Sequence, residues 1–157
     1  MRRNAVGFYW TYPVEWAGFT RLPKTVDGAA ARSKTIRYQR DLVRRYANDE
    51  RWNLVHEAVF LETEPDRGSQ STIGPLTKVT RTCQAEDAVL LLVDFSVEHG
   101  WRGHEFINYW LAKADIKFIW IQTRLSSMGT PSIPMLISVG GVTRSMSGRQ
   151  KNSGAPR

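Results

Sequence analysis

Apolar and polar residues change period several times along this chain, and each change marks an element. Ala5 to Trp10 is a short aromatic and β-branched run that breaks at Thr11 and Pro13, the pattern of a buried strand ended by a breaker. From Tyr12 to Lys34 the period is lost among Pro13, Gly18, Pro23 and Gly28, with Trp16 and Phe19 as isolated anchors. This stretch reads either as a functional loop or lid or as a packed surface loop pinned by the two rings. Thr35 to Ala47 then gathers Ile36, Gln39, Leu42, Val43, Tyr46 and Ala47 on one side of a helix, with Arg37, Asp41, Arg44 and Arg45 opposite and Arg40 at the border.

The run from Trp52 to Leu61 predicts a second strand, closed by the turn-prone Glu62 to Gly68. Pro75 suits the first turn of a helix whose core side is Leu76, Val79 and Cys83. Ala88 to Val93 is continuously apolar, as a strand covered on both faces must be, and it ends in Asp94. His104 to Ala114 gives another amphipathic helix, and Ile116 to Ile121 another strand. Leu136 to Val139 is at most a short added strand beside Pro131 and Pro134. Ser145 to Arg157 is basic, Ser/Gly-rich and nearly free of apolar residues.

This alternation of strand and helix predicts an α/β fold: a three-layer sandwich with a mostly parallel central sheet and right-handed crossovers, flavodoxin-like in architecture. One domain over residues 1–122 is expected, followed by an irregular basic tail over 123–157.

Composition narrows the partners. The 157 residues carry 22 Lys+Arg against 15 Asp+Glu, a formal net charge of +7. A hydrophobic fraction of 41% is enough for an ordinary core, which excludes a globally disordered chain. Cys83 is the only cysteine, so no intramolecular disulfide forms, and a reducing, cytoplasmic location is expected. No apolar run approaches the ~20 residues that cross a bilayer, and the basic, apolar start lacks a cleavage site, so no membrane association is expected.

Ligands of open α/β sheets bind beyond the carboxyl ends of the strands, which directs attention to Thr11 and Tyr12, Glu62 to Gly68, Asp94 to Ser96 and Gln122 to Arg124. Phe8-Tyr9-Trp10-Thr11-Tyr12-Pro13 matches neither a phosphate loop nor a dinucleotide fingerprint, so no cofactor is expected. His99 and His104, five residues apart, would lie about 140° apart on a helix. With no completed ligand set they read as solvated loop histidines, and no metal is expected. His56 reads as an ordinary hydrogen-bonded strand residue.

Element order and scattered residues between Ala5 and Ile121 resemble the N-terminal catalytic domain of the serine recombinases, the resolvase/invertase family. Where that family ends its first strand in Tyr-x-Arg-x-Ser, this chain has Phe8, Trp10 and Tyr12. Gln39 resembles a recurrent glutamine of the first helix, Glu62 replaces the aspartate that closes the second strand, and Asp66-Arg67 resembles the pair ahead of the next helix. Asp94 matches the aspartate ending the third strand, but the family's Asp-Arg-Leu-x-Arg reads Asp94-Phe95-Ser96-Val97-Glu98.

The resemblance implies a recombinase-type domain that has lost its serine nucleophile and several arginines, so no catalytic residue is assigned. Thr11 is the conceivable substitute nucleophile, without an evident base or cation beside it. The helix-turn-helix domain that usually follows in the family is missing from the remaining residues. Non-specific association with duplex DNA through Arg37, Arg40, Arg44, Arg45 and Arg67 is the implied activity. The alternatives are an interaction module, a homodimer among them, built on the loop with Trp16 and Phe19, and a small hydrolase using Asp94 with Glu62.

Overall fold

The computed structural model of this protein describes residues 1–13, 15, 18–63, 70–94 and 104–122. Four strands, β1 (Asn4–Thr11), β2 (Asn53–Leu61), β3 (Val89–Asp94) and β4 (Phe118–Gln122), form a single sheet in the order β2-β1-β3-β4. Every pairing is parallel. Between the strands lie four described helices: α1 (Val26–Arg32), α2 (Lys34–Asp49), α3 (Gln70–Ala85) and α4 (Glu105–Lys113).

The side-chain alternation of the two central strands sorts the core into two layers. Ala5 and Tyr9 of β1 with Val89, Leu91 and Val93 of β3 pack against α1 and α2, where Ile36 and Val43 are buried. Val6 and Phe8 with Leu90 and Leu92 pack against Leu76 and Val79 of α3 and Ile107 and Leu111 of α4. Each of the buried Val, Leu, Ile and Phe side chains contributes roughly 1.5–3 kcal/mol on burial. The step from β1 to β2 carries its helices on one face; the steps to β3 and β4 run the other way across the sheet with helices on the opposite face. That reversal of both direction and face keeps the crossovers of one hand. The architecture is therefore the α/β three-layer, flavodoxin-like sandwich expected, with a sheet that is wholly parallel.

Two readings need correction. Part of the supposedly irregular Tyr12–Lys34 segment is α1, capped at its start by Thr25 Oγ1, which accepts from the Gly28 N–H at 3.0 Å. Ser33 ends α1 through its N–H to the Ala29 carbonyl and begins α2 by accepting from Ile36 N–H. Pro75 is not in the first turn of α3, which begins at Gln70; it stands inside the helix. Phe19 is buried, 3% exposed, in keeping with the reading of a packed loop that this ring pins. Trp16, Arg67, His99, Leu136–Val139 and residues 123–157 lie outside the described residues. No described helix is long and apolar enough to cross a membrane.

Candidate functional site at the carboxyl ends of the strands

β1 reverses the winding of the sheet, and its two neighbours leave it at different points. Its pairing with β2 continues to Thr11 opposite Leu61, whereas its pairing with β3 stops at Gly7 opposite Leu91. β3 meanwhile follows β4 to Asp94 opposite Gln122. The strands thus open a crevice beyond Gly7, the switch point where such sheets hold ligands.

Gln39 of α2 closes one side of that crevice. Fully buried, it accepts from the Trp10 N–H through Oε1 at 3.2 Å and donates through Nε2 to the Trp10 carbonyl at 2.8 Å. The amide of one side chain does for Trp10 what a neighbouring strand would do, and it leaves neither group bare in a buried place. It also donates to Thr35 O at 3.2 Å, which ties it to its own helix.

Glu62 closes the other side. It extends β2 by one step, donating its N–H to the Thr11 carbonyl at 2.9 Å. Its carboxylate is fully buried, and Oε2 accepts from Thr72 Oγ1 at 3.0 Å and meets His104 Nε2 at 2.7 Å. His104 is the N-cap of α4: Nδ1 accepts from the Ile107 N–H at 3.3 Å. A backbone N–H can only donate, so Nδ1 is unprotonated and Nε2 carries the hydrogen given to Glu62. Both ring nitrogens are therefore engaged, and the imidazole has no lone pair to offer a substrate. The group joins the end of β2 to the first turns of α3 and α4; it is an anchor rather than a base.

Trp10 packs edge-on against His104, ring centroids 4.8 Å apart, and Tyr12 packs edge-on against Trp10 at 5.4 Å. The positions that resemble the family's arginine and serine are thus filled by an indole and a phenol held by neighbouring rings. Tyr12 is 48% exposed. Thr11 is buried, and its hydroxyl donates to the Tyr12 carbonyl at 3.4 Å. Tyr12, Gln39, Glu62 and Asp94 all lie toward this end of the sheet, Gln39 bonded to the Trp10 backbone and Glu62 to the Thr11 carbonyl.

The arginines of α2 lie elsewhere and have partners. Arg37 donates to the carbonyls of Ala30 and Ala31 at the end of α1. Arg40 pairs with Asp27 at 3.0 Å and Asp41 at 2.7 Å. Arg44 makes a two-pronged contact with Glu57, at 3.0 and 2.8 Å, and reaches Asp27 at 3.0 Å. Arg45 faces Asp49 at 3.9 Å and is largely exposed. The fully buried Tyr9 phenol donates to Glu57 at 2.7 Å; burial first, and then the Glu57 charge, drive its pKa far upward. Arg44 is held protonated mainly by its hydrogen bonds to Glu57. The helix face that reads as basic is largely a clamp joining α1, α2 and β2.

His104 is not the solvated loop residue expected: it is a buried cap, 8% exposed. Its role was hidden because N-caps are usually Ser, Thr, Asp or Asn; the position immediately before an amphipathic run was the available signal. Thr72 and Glu57 carried no local signal, since their partners are 10 and 13 or more residues distant. Among the described residues no group of His, Cys, Asp and Glu could hold a metal ion. Compared with family models, curated proteins and solved structures, the chain matches none of them.

Proposed function

We propose that this protein is a serine-recombinase-like domain that associates with duplex DNA without cutting it. The supporting observation is that Gln39, Glu62 and Asp94, which carry the resemblance from separate parts of the chain, all lie at the carboxyl end of the sheet, Gln39 and Glu62 on the backbone of Trp10 and Thr11. Phosphoryl transfer requires a nucleophile flanked by positive groups, and each preorganised donor removed costs about 100- to 1000-fold in rate. At this end of the sheet Trp10 and Tyr12 pack ring against ring, and the Glu62 carboxylate is engaged by Thr72 and His104. A net charge of +7 favours association with phosphate backbone.

Incubation with supercoiled plasmid is expected to leave it uncut and free of covalently attached protein. A covalent adduct that disappears in Thr11→Ala or Tyr12→Phe would overturn the non-cleaving part. Anisotropy titration on random duplex at several salt concentrations tests the association: affinity should fall steadily with salt, and no affinity at low salt removes the DNA reading.

A further inference from the structure

At the amino end of the sheet three cations without an acidic partner among the described residues come together. Arg2 and Arg3 precede β1, Arg51 and Trp52 precede β2, and these four residues with Met1 and Glu50 line one open hollow. No carboxylate among the described residues lies within ion-pair distance of Arg2, Arg3 or Arg51. All three are exposed. The Arg3 guanidinium lies over the Trp52 ring, 5.2 Å from its centroid, and Tyr46 packs edge-on against the same ring at 5.8 Å. Its positive charge reaches the Tyr46 phenol, opposing burial and Glu50, which raise that group.

Arg51 adds an independent observation. Its backbone is in the left-handed region, φ 57, as the residue after the cap of α2. Its N–H donates to Asn48 O and the next N–H, from Trp52, donates to Ala47 O, the paired bonds of a helix end that favours glycine. An arginine there is strained for its backbone, and strain of this kind concentrates where function needs a particular side chain. What it supplies is a third guanidinium at the hollow.

Resting on the reading of the chain as DNA-associated, we propose that Arg2, Arg3 and Arg51 are the surface that takes the phosphate backbone of duplex DNA. Three guanidiniums against the single acid Glu50 complement a polyanion. Trp52 is half-buried and already covered by Arg3 and Tyr46, so its ring serves to hold a guanidinium rather than to stack a base. Recognition is therefore of phosphate and independent of sequence.

The test uses the full chain with no N-terminal tag. Arg2→Ala/Arg3→Ala/Arg51→Ala should bind random duplex about tenfold or more weakly near 0.1 M salt, and its log affinity against log salt should flatten by about 0.9 per lost phosphate contact. Arg21→Ala/Lys24→Ala/Arg81→Ala removes the same charge elsewhere and should weaken binding much less. Arg51→Gly separates contact from folding: it should raise Tm while lowering affinity. Wild-type protein that binds no duplex sinks the DNA reading itself. Wild-type binding that the first triple variant leaves intact, or that the control variant reduces equally, sinks this assignment alone. Loss of binding to anionic phosphatidylserine vesicles with duplex affinity unchanged would also overturn it, by making the hollow a lipid surface.

Discussion

The two ends of the sheet handle polar groups in opposite ways. At the carboxyl end, Glu62, His104, Thr72 and Gln39 are buried and turned inward on one another or on the backbone of β1. At the amino end, Arg2, Arg3 and Arg51 face solvent, and one of them occupies a strained backbone position. A buried polar group must be matched by the protein itself, because leaving it unmatched costs more than the bond gains. Exposed cations carry no such requirement, so their unpaired state is compatible with a partner from outside. Among the described residues, the polar groups at the end where the fold class would put a ligand are taken up by the protein itself, whereas the amino end gathers three exposed guanidiniums without an acidic partner.

Removing the anchor of the filled end should produce the largest effect. Glu62→Ala leaves the Thr72 hydroxyl and the His104 N–H buried without their acceptor, and a destabilisation of about 3–5 kcal/mol is expected in urea unfolding. A loss below about 1 kcal/mol would mean that the carboxyl end is not held together as described. Gln39→Ala strips both backbone groups of Trp10 of their partner at once. A loss of about 2–3 kcal/mol is expected, with accelerated hydrogen exchange at the Trp10 amide. Unchanged exchange there would break the comparison, since β1 would then hold its end without the amide.

Much of this was legible in the sequence, and the reasons are specific. Continuous apolarity in Ala88–Val93 signalled a strand covered on both faces, and the periodicity of Thr35–Ala47 gave α2 with its buried side. α1 escaped because seven residues containing Gly28 and three alanines carry almost no apolar period, while Thr25 and Ser33 hold its ends by capping. The start of α3 escaped because a proline was assigned its preferred position, although tertiary packing of Leu76 and Val79 sustains a helix around Pro75. At the site, single residues at strand ends were identifiable one by one. Which arginines had partners was not, because the acids that hold Arg44, Asp27 and Glu57, come from another helix and a strand 13 or more residues away.

Two smaller substitutions, one in the middle of β1 and one at the amino end, act from the backbone outward. Gly7 lies opposite Glu57 on β2, and a Cβ added to it would come 2.5 Å from Tyr9 Oη, because the phenol folds back over Gly7 to reach that acid. Gly7→Ala should therefore push Tyr9 off Glu57 and cost about 2 kcal/mol, an overpacking penalty. Tyr9→Phe in the Gly7→Ala background should recover part of it, since the clashing oxygen is gone. At the amino end the sign reverses: Arg51→Gly relieves the left-handed backbone and should stabilise by about 1 kcal/mol. Destabilisation instead would show that the guanidinium contributes to the fold, and the contrast between a self-satisfied end and a free one would weaken.

The smallest effect concerns the acid that separates the two kinds of arginine. Asp27 is exposed, and hydrogen bonds and charge from Arg44, then Arg40, hold its carboxyl below the ordinary value of 3.8. A carboxylate lowered in the folded state stabilises fully above its unfolded pKa, and the contribution disappears as pH falls through the folded one. Wild-type Tm should therefore drop more steeply than that of Asp27→Asn between about pH 5 and pH 2, with the two curves converging at the acid end. Parallel curves would show that the clamp on α2 draws nothing from Asp27. The same variant sharpens the comparison at neutral pH, where it frees one partner of Arg40 and of Arg44. If pairing is what withholds the α2 face from DNA, Asp27→Asn should bind duplex slightly more tightly than wild type, and by less than the amino-end triple variant loses.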